Sequence, residues 1–81
     1  MARISLTAAA RRRASKGRIV AALRNAGMPL EISERDGVVR VYFIGIDDRG
    51  IELELILAPH LDDDDRWVVI HAMPTRFRKN W

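Results

Sequence analysis

Apolar side chains along this chain change their spacing once. Up to Gly27 they recur every three to four residues, as on one side of a helix; beyond Leu30 they alternate, as on one side of a strand. The stretch from Ser5 to Gly17 predicts a first helix: Ser5 or Thr7 can cap the opening amides, three alanines follow, and Gly17 supplies a left-handed stop. A second helix is predicted from about Arg18 to Ala26, with Ile19, Val20, Leu23 and Ala26 on one stripe and Gly27 and Pro29 behind it. Neither is long enough to persist alone in water, so both need a surface to lie on.

The alternating half supplies that surface. Leu30 to Glu34 reads as a first strand, Asp36-Gly37 as a tight turn, and Val38 to Ile46 as a long central strand. After the turn at Asp47 to Gly50, Ile51 to Ala58 alternates cleanly, with Ile51, Leu53, Leu55 and Leu57 on one side and Glu52 and Glu54 on the other. Pro59 to Asp65 is a connection, and Arg66 to Met73 a further strand stopped by Pro74. Aligning the apolar faces places Phe43 opposite Leu53, Val41 opposite Leu55 and Tyr42 opposite Glu54. The last strand is apolar on both faces, so pattern leaves two assignments open. Either Val68, Ile70 and Ala72 face the helices, or Trp67 and His71 do. The expected fold is α+β, with two short N-terminal helices packed on one face of a three- to four-stranded antiparallel sheet. It forms one domain over 1–81: a basic helical part (1–28), an antiparallel β-meander (29–74) and a basic tail (75–81).

Charge sharpens this division. Residues 1–30 carry +7 with no acid, 31–65 carry −8, and the remainder +4, so the net +3 hides basic ends around an acidic middle. Such ends attract a polyanion such as RNA, and an acidic protein equally well. No cysteine is present, which excludes disulfides and thiolate metal sites, and no apolar run is long enough to span a bilayer. A cytoplasmic address without membrane attachment is the expectation. The four aspartates at 62–65 follow Pro59 and lack the spacing of a calcium loop, so they read as a solvated connection, with no metal and no cofactor expected.

The order of these pieces resembles that of the BrnT-like toxins of bacterial type II toxin-antitoxin pairs, within the RelE-like ribonuclease superfamily. The resemblance rests on the Leu6-to-Arg13 segment, the short helix ending at Gly27, the Asp48-Arg49-Gly50 turn between long strands, and the closing segment from Ile70 to Arg76. It covers nearly the whole chain. The family's usual last strand carries a Ser-Ala-Arg-Arg type sequence where this chain has His71, Ala72, Met73, Pro74, Thr75 and Arg76. The resemblance implies a metal-independent endoribonuclease, neutralised by a cognate antitoxin, in a homodimer or a toxin–antitoxin hetero-oligomer. A degenerate toxin that only binds nucleic acid or antitoxin is the competing expectation.

Cleaving RNA without a metal needs one group to take the 2′-hydroxyl proton, one to protonate the leaving oxygen, and cations to hold the phosphate. His71 is the acid-base candidate because imidazole titrates near neutral pH. Arg76 would bind phosphate beside it, supported by Tyr42 and Arg40, while Arg78, Lys79, Arg66 and Arg12 would contact the RNA. For Tyr42 and Arg40 the competing role is a solvated cross-strand network with Glu54. Arg11, Arg12 and Arg13 lie about 100° apart in turn on a helix, so one ligand cannot meet all three.

Overall fold

The computed structural model of the chain describes residues 3–63 and 65–77. Strand β1 (Arg3–Leu6) leads into a single helical turn, α1 (Ala8–Arg11), and then α2 (Lys16–Ala26). Four strands follow, β2 (Glu31–Arg35), β3 (Val38–Ile46), β4 (Glu52–Pro59) and β5 (Arg66–Pro74), with a 3-10 turn at Thr75–Phe77. The sheet order is β1-β5-β4-β3-β2, with β1 parallel to β5 and every other pairing antiparallel. The expected fold is therefore corrected: the sheet has five strands and is mixed, and only α2 is longer than a turn.

The missing strand lay in what the sequence suggested was a helix start. In β1, Ile4 and Leu6 join the core and Arg3 and Ser5 do not, an alternation of four residues, too short to outweigh the alanines behind it. It forms because the outer edge of β5 is open to it: Arg3 N donates to Asp65 O (2.8 Å) and Thr7 N to Val69 O (3.1 Å). Thr7 then caps α1, its Oγ1 accepting from Ala10 N. The helix break also moves. Ser15 caps α2 by accepting from Arg18 N, which places Gly17 in the first helical turn without a positive φ. Gly27 (φ +71°) ends α2 as expected.

Three contacts set α2 on β3. Gly45 has no side chain where the Ala22 carbonyl approaches: a Cβ there would stand 2.0 Å from that oxygen. Asn25 Nδ2 donates to Ile46 O (2.7 Å), and Arg18 Nε to Asp47 Oδ2 (2.7 Å). Ile19 and Ala22 are thereby fully buried against Leu53, Leu55 and Val69. Among the described residues no helix is long and apolar enough to cross a membrane.

Register departs from expectation twice. Asp36 (φ +53°) and Gly37 (φ +79°) form the anticipated two-residue turn between β2 and β3. Between β3 and β4, however, Asp47 N bonds Ile51 O, leaving a three-residue loop ending in left-handed Gly50 (φ +80°). The pairing slides by two: Val41 meets Leu57, Phe43 meets Leu55, and Tyr42 meets Ile56 rather than Glu54. An even shift keeps each side chain on its face, so the core survives the correction. In β5 a bulge makes Ile70 an extra residue, since Ile56 pairs with His71 but Leu57 with Val69. Trp67 and Val69 before it, and Ala72 after it, all pack toward the helices. Neither uniform assignment of this strand holds, because the bulge reverses the alternation halfway.

Candidate functional site

Among the described residues, the face of the sheet opposite α1 and α2 carries no helix. Register places Tyr42, Ile56 and His71 in one row across β3, β4 and β5, with Arg40 in the next row on one side and Glu54 on the other. Neighbouring strands lie about 4.8 Å apart, so the Tyr42 and His71 backbones are about 10 Å from each other. His71 is here because of the bulge: were Ile70 an ordinary residue of the ladder, His71 would share the core face with Val69.

His71 Nε2 lies 3.3 Å from Glu54 Oε2, at ion-pair distance but not aligned as a hydrogen bond. The Glu54 side chain is 8% exposed and that of His71 35%, so the carboxylate sits beneath an imidazole that solvent reaches. Such a carboxylate orients the ring and leaves Nδ1 for a second partner. Arg40 is half-buried, its Nε without a hydrogen-bond partner among the described residues. Around these polar groups the face is apolar: Val38, Ala58, Val68 and Ile70 line a recess of about 430 Å³ together with Arg40 and His60.

The other predicted residues lie elsewhere. Arg76 is in the 3-10 turn beyond β5, exposed, its guanidinium 5.1 Å from the centre of the Phe77 ring. Arg66 opens β5 at the far end, donating to Ser5 Oγ (3.0 Å) with its Nε 3.6 Å from Asp63 Oδ2. Arg12 is exposed where α1 ends. Arg78 and Lys79 lie outside the described residues. The structure thus brings together Arg40, Tyr42 and His71 on one face, and sets Arg66, Arg12 and Arg76 apart from it.

Two features escaped sequence reasoning. A groove of about 580 Å³ runs along β1, where Arg3, Arg11, Lys16 and Arg66 converge. Only the recognition of β1 as a strand would have revealed it. The second is Asp47, almost fully buried, whose Oδ1 accepts from the amides of Arg49 (2.8 Å) and Ile51 (2.9 Å) while Oδ2 accepts from Arg18. Burial pushes its carboxyl upward, but the Arg18 hydrogen bond, the two amides and the Arg18 charge outweigh it and hold the group below the usual carboxylate range. This aspartate ties a helix to a turn and does not face the polar patch. Among the described residues no group of three or more His, Cys, Asp or Glu is placed to hold a metal ion. In comparisons with known proteins, no family model matches this chain, and neither a curated protein nor a solved structure matches it.

Proposed function

We propose that this chain is an RNA-directed toxin of the BrnT-like, RelE-like kind: an endoribonuclease that works without a metal ion and is silenced by a cognate antitoxin. The observation that carries the reading is the imidazole of His71 held 3.3 Å from buried Glu54 on the helix-free face. In this reading His71 exchanges a proton with the ribose 2′-hydroxyl or the leaving oxygen, Glu54 stabilises the imidazolium, and Arg40 and Tyr42 hold the phosphate and its neighbouring ribose. An antitoxin covering the apolar surroundings of Arg40 would exclude RNA from the same face.

A second reading, a non-catalytic module that binds nucleic acid or antitoxin, is favoured by the positions of Arg12, Arg66 and Arg76, none of which lines the His71 patch. Purified protein incubated with RNA in excess chelator separates the two. The nuclease reading expects cleavage that is lost in His71→Ala and reduced in Tyr42→Phe. Intact RNA, retained in a salt-dependent manner by wild type and His71→Ala alike, supports the binder instead.

A further inference from the structure

Phe77, at the end of the 3-10 turn, is 47% exposed, and two arginines from distant parts of the chain converge on its ring. Arg76 stands 5.1 Å from the ring centre and Arg13, from the connection between α1 and α2, 5.9 Å. Both arginines are exposed, and neither forms an ion pair or hydrogen bond among the described residues. Glu52, the acid that reaches this turn, accepts from Thr75 (2.8 Å) and so fixes the turn without neutralising either guanidinium. Two like charges are held near one aromatic surface, and among the described residues their side-chain N–H donors meet no acceptor.

We infer that Arg13, Phe77 and Arg76 form a binding site for single-stranded RNA. The guanidiniums grip a backbone phosphate between them, and a flanking base stacks on the exposed aromatic surface. The chemistry is that of a phosphodiester joined to a flat base. A cation held against a ring keeps its fork of donors in one plane, suited to two oxygens of one phosphate, and an exposed ring accepts any base face. The inference rests on the RNA reading above and adds phosphate contacts beyond those of Arg40 and Tyr42 on the His71 face.

A fluorescein-labelled 2′-O-methyl oligouridylate, which cannot be cleaved through its 2′-oxygen, tests the site by anisotropy, with each variant's folding checked by thermal melting. Arg13→Ala and Arg76→Ala are each expected to weaken binding about tenfold or more and to lower the salt slope by about one. Phe77→Leu should weaken it about fivefold with the slope unchanged. Arg24→Ala, an exposed cation on α2, should stay within about twofold. The site is overturned if Arg13→Ala and Phe77→Leu bind as wild type does, or if Arg24→Ala costs as much as Arg13→Ala. It is also overturned if an oligoglutamate of matched charge competes as well as the oligonucleotide. Cleavage by wild type with normal binding in the Arg13 and Phe77 variants sinks this site alone. Binding that depends on them, without cleavage by wild type, sinks the nuclease alone.

Discussion

At the scale of single residues, the fold turns on positions where one atom too many, or one charge too few, disrupts a contact between backbone segments. Gly45 is the sharpest case. A methyl group there meets the Ala22 carbonyl at 2.0 Å, and because the obstruction is backbone, α2 as a whole must lift from β3. Gly45→Ala is expected to cost about 3 kcal/mol or more, read from the denaturant midpoint at unchanged slope. Asp47 gives a pH signature. Its carboxyl is held below its ordinary value by Arg18 and two amides against the opposing effect of burial, so the unfolded chain takes up the proton first as pH falls. The stability it contributes is complete above the ordinary carboxylate range and is lost as pH drops through the lowered folded value. Asp47→Asn should therefore be less stable than wild type at neutral pH, yet lose less stability below about pH 4. Equal acid sensitivity in the two proteins would contradict this account of Asp47.

At the scale of elements, caps and turns decided where segments begin, and long-range pairing decided what they became. Ser15 starts α2 through its bond to the Arg18 amide, and Ser15→Ala should cost about 1 kcal/mol in thermal or denaturant unfolding. Gly37→Ala, at φ +79°, should cost a similar amount of about 1 kcal/mol and leave the core intact. The Asp36-Gly37 turn, β3 with its bounds, Gly27 as a stop and the Leu53-Leu55-Leu57 core stripe were all legible in the sequence, because each is encoded by adjacent residues. β1 was not legible, since Arg3 to Leu6 become a strand only through a partner that begins at Arg66. The site was half legible. Arg40, Tyr42 and His71 were each singled out by residue type, but the face that carries His71 was left open, because their neighbours depend on a two-residue register shift and on the bulge at Ile70. Neither leaves a local pattern, because an apolar strand alternates equally well in either phase. Deleting Ile70 tests the point, since it removes the extra residue and lets Val69 and His71 pair in succession with Leu57 and Ile56, so His71 should stay on the helix-free face with little loss of stability, and Ile70→Val should be nearly silent.

At the scale of the whole molecule, the segregated charge of the sequence is only partly neutralised by folding. Arg18 meets Asp47, and Arg3 and Arg66 meet Asp63, so some basic residues of the two ends are spent on architecture. Arg11, Arg12, Arg13, Lys16 and Arg24 stay exposed on the helical side, while His71 and Glu54 occupy the opposite surface. A ligand that engages both must pass around an edge of the sheet, and the groove beside β1 offers a cationic route. Replacing Arg11 and Lys16 together by glutamate is expected to lower the salt slope of RNA binding by at least about two, without altering the unfolding midpoint by more than about 0.5 kcal/mol.

The parallel pairing of β1 with β5 also dictates a sequence of events in time. Arg3 must wait for Arg66, 63 positions later, before its strand has a neighbour, whereas β2 through β5 pair between successive segments. Closing so long a loop is entropically slow, so the meander should assemble first and the opening residues dock last. During synthesis the outer border of β5 is thus born uncovered, and β1, made long before its neighbour, is the last strand to find its place.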